Sequence, residues 1–219
     1  MQVYSPIKNP FSSRISFLFF LILGFSSSSL KSQELLNNEN KKFIFDFGGT
    51  FGAFFPYNGE DGFKNTIGSN AMTTLQATYK NSYFVRFKFG QTTVNYKTHV
   101  SFNSLQSKVD VKSNSTSIGL DIGYQRLYGR WQPFVFAGSG LAIIEEPKIS
   151  YHSFNNQIDY GTKSSTNLYI NAGFGVNYII SKSFIILGEC QFYSVPGISK
   201  NSLTHLNGVS PVIGIKALL

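Results

Sequence analysis

The chain has 219 residues, 42% of them hydrophobic and 16% aromatic, with only 14% charged; that charged share is well under the ~25% of ordinary soluble domains. The formal charge is +8, but Lys8, Arg14 and Lys31 fall in a leader, which leaves 16 basic against 11 acidic residues. The excess is scattered, with no basic stripe of interleaved aromatics, which argues against nucleic acid as a partner. Hydropathy near zero argues against a bundle of membrane helices, and a single cysteine, Cys190, excludes an intrachain disulfide.

Residues 1–32 read as a secretory signal. Lys8 and Arg14 supply the basic region, and Ile15 to Phe25 is an apolar run. That run is too short for the ~20 residues of a spanning helix. Small residues follow, and cleavage is expected after Ser32. Residues 33–41 then form a short polar tail on the periplasmic side, and residues 42–219 hold everything that alternates.

Strand one is expected over Lys42 to Phe54, with Phe43, Phe45, Phe47 and Phe51 on one parity and Asp46, Gly48, Thr50 and Gly52 on the other. Phe55 to Asn70 is rich in turn formers. Strand two is Ala71 to Tyr79, followed by the tight turn Lys80-Asn81-Ser82. Strand three starts at Tyr83, where Val85, Phe87 and Phe89 alternate with Arg86, Lys88 and Gly90. Lys97 to Asn114 reads as a long polar loop.

Strand four is Ser115 to Leu127, with Ile118, Leu120, Ile122 and Tyr124 opposing Gly119, Asp121, Gly123 and Gln125. After the turn Tyr128-Gly129-Arg130, strand five is Trp131 to Ile144, with Val135, Ala137, Leu141 and Ile143 outward. Glu145 to Ser165 is again polar. Asn167 to Tyr193 holds the clearest pattern: Leu168, Ile170, Ala172, Phe174, Val176 and Tyr178 on one face, a Ser181–Ser183 turn, then Phe184, Ile186, Gly188, Cys190 and Phe192 against Glu189, Gln191 and Tyr193. Ser194 to His205 is a loop, and strand eight is Leu206 to Leu219. Period two over ten or more residues fits a tilted strand crossing a bilayer, where soluble strands average five or six.

The connections alternate long and short throughout, which is the pattern of tight periplasmic turns and long external loops. The expected fold is all-β: an eight-stranded antiparallel up-and-down transmembrane β-barrel with its apolar parity toward lipid. The competing arrangement, a soluble exported barrel of lipocalin type, turns that parity inward around a ligand.

Three acids and three bases share the polar parity: Asp46, Arg86, Lys88, Asp121, Glu189 and Lys216. An eight-stranded lumen is just wide enough for side chains to fill, so these charges are expected to pair as a plug rather than line an ion path. Lys216 is expected to bridge Glu189 and Asp46 across the seam, and Arg86 to meet Asp121. Tyr79, Tyr83, Tyr128, Trp131 and Tyr178 are expected to mark one membrane interface, and Phe54, Tyr57, Tyr96 and Tyr193 the other. His99, His152 and His205 all fall in loops without metal-ligand spacing, and the glycine-rich Phe47–Gly52 stretch has no following helix for a phosphate cradle. No cofactor or metal site is expected. Cys190 reads as a small hydrophobe on the apolar face.

Trp131-Gln-Pro-Phe-Val-Phe-Ala-Gly-Ser-Gly-Leu is similar to the aromatic-x-Pro-aromatic strand of small outer-membrane barrels of the OmpA, OmpX and opacity-protein type. Gly119-Leu-Asp-Ile-Gly-Tyr resembles the strand before it, and Ala172-Gly-Phe-Gly-Val-Asn-Tyr with the strand carrying Glu189 resembles the late hairpin. The likeness covers residues 42–219. The chain departs from the family in ending at Leu219 rather than at an aromatic residue. The resemblance implies an integral outer-membrane protein without enzymatic activity, placed among outer-membrane lipids by the barrel-assembly machinery. Its external loops would serve binding, adhesion or an accessory envelope role. A second resemblance, to eight-stranded lipid A deacylases, rests on His99-Val-Ser101, where a base and a nucleophile lie two apart on one strand face with Asp110 or Glu145 as acid. The residues around that pair do not match, so the enzyme reading is the alternative.

Overall fold

The structure, a computed structural model, describes residues 42–57, 63–102, 105–152, 157–196 and 206–219. The leader, the tail and the loop tips lie outside the described residues. Eight strands form: β1 (Phe43–Pro56), β2 (Phe63–Tyr79), β3 (Tyr83–Phe102), β4 (Leu105–Gln125), β5 (Trp131–His152), β6 (Gln157–Ile179), β7 (Phe184–Ser194) and β8 (Gly208–Leu218). Each pairs antiparallel with its sequence neighbours, and β8 closes on β1, so the sheet is an up-and-down barrel without an open edge at its waist.

The alternation dictates which way each side chain faces. Asp46, Gly48 and Thr50 are buried while Phe43, Phe45 and Phe51 are exposed. β7 repeats this with Ile185, Leu187, Glu189, Gln191 and Tyr193 inside. The turns at one end are tight because their residues accept left-handed backbone: Lys80 and Asn81 have φ of 48° and 57°, and Gly129 has 61°. Ser82 N–H donates to the Tyr79 carbonyl at 3.1 Å to close the first.

The registers also set the stagger. Stepping across paired residues from Tyr124 through Val135, Phe174, Cys190 and Pro211, then through β1, β2 and β3, returns to β4 at Asn114. A slip of about ten residues is about 33 Å along the strand, against a circumference of about 38 Å for eight strands, so the strands tilt by about 40°.

The strands run further than their alternation suggests. Lys97–Asn114 was expected as a loop, yet β3 and β4 pair without a break out to Phe102↔Leu105. Glu145–Ser165 likewise pairs out to His152↔Gln157. The loop expected over Phe55–Asn70 shrinks because β1 reaches Pro56 and β2 begins at Phe63, while β8 starts at Gly208 rather than Leu206. The physical reason is that a period-two signal needs two contrasting environments, whereas backbone pairing needs none. That signal vanishes beyond the apolar belt while the backbone ladder continues. β4 and β5 pair only as far as Ser115↔Ile144, so above that level β3–β4 and β5–β6 are separate hairpins rising from one side of the barrel.

Candidate functional site: the filled lumen and the apolar belt

The lumen is layered. Near the tight turns, Phe84, Phe134 and Phe136 form an aromatic cluster, with Phe84 and Phe134 edge to face at 6.1 Å. At the other end Phe54, Met72, Val94, Ile144, Tyr169 and Tyr193 form a second apolar cluster. Glycines make the room. A Cβ on Gly123 would lie 2.2 Å from the Phe84 ring, and one on Gly119 would lie 2.1 Å from the Tyr169 hydroxyl.

Between these clusters sit the charges. Arg86 on β3 is 1% exposed. Its Nε and Nη2 donate to Asp121 Oδ2 at 3.0 and 2.8 Å. Its Nη1 and Nη2 donate to Glu189, on the diametrically opposite β7, at 2.5 and 3.2 Å. The guanidinium also lies over the Phe136 ring at 4.3 Å. Lys88 Nζ is 2.9 Å from Asp121 Oδ1, and Asn171 Nδ2 donates to the same oxygen at 3.1 Å. On β7, Gln191 Nε2 donates to Glu189 Oε1, and Tyr193 Oη donates to Gln191 Oε1. Lower down, Lys216 Nζ donates to Gln76 Oε1 at 2.9 Å and pairs with Asp46 Oδ1 at 3.4 Å. Six charges thus form two neutral groups: two acids with two bases, and one with one.

Two expectations are corrected here. Lys216 does not bridge Glu189. The register sets Lys216 opposite Ile185, four residues or about 13 Å along the strand from Glu189, and Arg86 reaches Glu189 from across the lumen instead. Tyr193 and Phe54 do not mark a membrane interface: they are 8% and 1% exposed, inside the lumen. Tyr193 shares the parity of Glu189 and Gln191, which already required this. Neutral partners the charge pattern alone did not flag, namely Gln76, Gln191 and Asn171, sit on the same inward parity and complete the hydrogen bonding.

Of the remaining aromatics, Tyr83, Tyr128 and Trp131 are exposed at the tight-turn end, and Tyr79 and Tyr178 are half-buried beside them. Most are cross-strand ring pairs: Phe43–Tyr79 at 5.1 Å, Tyr83–Tyr124 at 5.4 Å and Trp131–Tyr178 at 4.7 Å. Tyr57 follows β1 at the opposite end, and the side chain of Tyr96 lies outside the described residues. So do the side chains of His99, Ser101 and Asp110; their backbones lie in the β3–β4 hairpin, where His99 pairs with Lys108 and Ser101 with Gln106. Glu145 is exposed on β5. Among the described residues no group of His, Cys, Asp or Glu is arranged to hold a metal ion.

The outer surface inverts a soluble protein. Ile213 is 73%, Ile122 68% and Phe174 55% exposed, and every strand contributes exposed Phe, Ile, Leu or Val. A continuous apolar belt around a polar, charge-paired interior defines a membrane-spanning eight-stranded barrel of the outer-membrane type. The inward charges also exclude the lipocalin arrangement, which requires the opposite parity.

The fold is similar to that of the outer membrane protein OprG from Pseudomonas aeruginosa: TM-score 0.57 and 12% identity over 82% of this chain and 97% of that one. It is similar also to a major outer membrane protein from Thermus thermophilus: TM-score 0.54 and 12% identity over 82% and 100%. At that identity the likeness is one of fold. No protein-family model matches the sequence, and no curated protein matches it significantly.

Proposed function

We propose that this protein is an integral, non-enzymatic outer-membrane barrel that carries binding or adhesive surfaces on its external hairpins and keeps its lumen closed. The single observation behind this reading is the division of labour in the fold. A barrel waist plugged by paired charges and two apolar clusters supports two hairpins that extend well past the belt. The void beside Phe54, Tyr169 and Tyr193 measures only about 10 Å³, roughly one water. Function on a rigid scaffold collects in what projects from it. Residues 1–32 would direct export, the barrel-assembly machinery would insert the chain, and Tyr79, Tyr83, Tyr128, Trp131 and Tyr178 would sit at the inner interface.

The test is surface display. An epitope inserted between His152 and Gln157 should be stained by antibody on intact cells, and the protein should fractionate with outer membranes and migrate faster on gels before boiling than after. Staining only after permeabilisation would invert the topology, and recovery in the soluble periplasmic fraction would end the membrane reading. The enzyme alternative is separated by lipid A mass: an acyl loss that vanishes on replacing His99 and Ser101 by Ala would establish it.

A further inference from the structure

The apolar belt does not have the same height all round. Four strands start from the same ring of aromatics, at Tyr83, Tyr124, Trp131 and Tyr178. On β5 the outward apolar run continues from Trp131 to Ile143, broken only by Ser139, and on β6 from Tyr178 to Leu168. On β3 it stops at Phe89, with half-buried Gln91 next and buried Thr93 beyond it; on β4 it stops at Ile118, with half-buried Thr116 and Asn114 next. These four polar residues are neighbours: Gln91 pairs with Thr116 and Thr93 with Asn114. Thr93 Oγ1 donates to Asn114 Oδ1 at 3.1 Å. β2 bounds the patch, with exposed Ala71 opposite Gln91 and exposed Ile67 two residues beyond Ser69.

A 40° tilt gives about 2.5 Å of axial rise per residue, so the apolar wall is about 25–30 Å high on β5 and β6 but only about 15 Å on β3 and β4. The usual band is about 25 Å. Tilting the whole barrel cannot absorb the difference, because a tilt moves both ends of a wall together and leaves the wall heights unequal.

We propose that the outer leaflet dips against the β3–β4 flank, so that lipid headgroups and their water descend on the order of 10 Å to meet Gln91 and Thr116. A short apolar wall is met by thinning of the adjacent bilayer. The occupant is lipid headgroup because the patch is continuous with the lipid-facing belt below it, and its amide and hydroxyl groups need hydrogen-bond partners that acyl chains lack. The proposal rests on the outer-membrane reading and adds a directional interaction with the membrane: one flank disorders and thins it while the other matches it.

The full mature chain, refolded into phosphatidylcholine vesicles, tests this by label depth. On a Cys190→Ser background, single nitroxides are placed at Gln91→Cys, Thr116→Cys and Ile170→Cys. Each lies eight residues, or about 20 Å axially, above its own aromatic. The labels at 91 and 116 should be reached by a water-soluble nickel reagent and the label at 170 by oxygen from the acyl region. Acyl-depth signals at all three positions would overturn the proposal, as would burial of 91 and 116 from both reagents, which means a protein partner covers the patch. Water exposure at 170 would overturn the membrane reading and this proposal with it. The pair Gln91→Leu with Thr116→Ile extends the short wall. It should raise the ratio of folding yield in 16-carbon to that in 12-carbon lipid by about two-fold or more, whereas an unchanged ratio would sink the thinning argument.

Discussion

Replacing Arg86 by Met removes the side chain that links Asp121 on β4 to Glu189 on β7 across the lumen. In the wild type it gives two hydrogen bonds to Asp121 and two to Glu189. Asp121 keeps Lys88 at 2.9 Å and Asn171 at 3.1 Å, so it remains partnered. Among the described residues Glu189 then keeps Gln191 as its hydrogen-bond partner, and its buried carboxylate has no other cation within ion-pair distance. Breaking a buried pair in this way costs about 3–5 kcal/mol. Removing the stranded charge as well, in Arg86→Met with Glu189→Gln, should recover most of that loss, because the penalty lies in the unpaired ion rather than in the missing bond. The assay is urea unfolding in lipid vesicles followed by Trp131, the single tryptophan of the chain. A loss under about 1 kcal/mol for Arg86→Met, or a double variant as unstable as the single, would refute the reasoning.

Phe174 stands near the middle of the belt, so Phe174→Arg should cost about 2–4 kcal/mol in the same assay; an unchanged midpoint would mean that this face does not meet lipid. Gly123→Ala sets a methyl 2.2 Å from the Phe84 ring and 2.6 Å from the Val135 carbonyl. It should destabilise by about 1–3 kcal/mol through overpacking, with partial relief when Phe84→Leu is added, and equal stability would show that the aromatic cluster is loose. Planar bilayers should record little conductance for the wild type. Joint truncation of Phe136 and Tyr193 to Ala should open a measurable current, and a steady current in the wild type would rule out the plug.

How much of this was legible in the sequence is clear from particular residues. Alternation over Leu168–Tyr178 and Phe184–Phe192 alone determined strand direction, face and hairpin pairing, because a pleated strand has no choice but to send successive side chains to opposite sides. Every inward charge could be read in this way. Where the lipid ended could not: Lys97–Asn114 and Glu145–Ser165 carry no apolar period, and only backbone pairing made them strands. Nor could the partner of Glu189 be read. The adjacent strand offers Lys216, but in a lumen this narrow adjacency around the wall matters less than axial level. That level is fixed by a stagger of about ten residues accumulated over all eight registers, which no local stretch of the chain contains. The tertiary structure therefore decided the charge pairing, the inward place of Tyr193 and Phe54, and the uneven height of the belt.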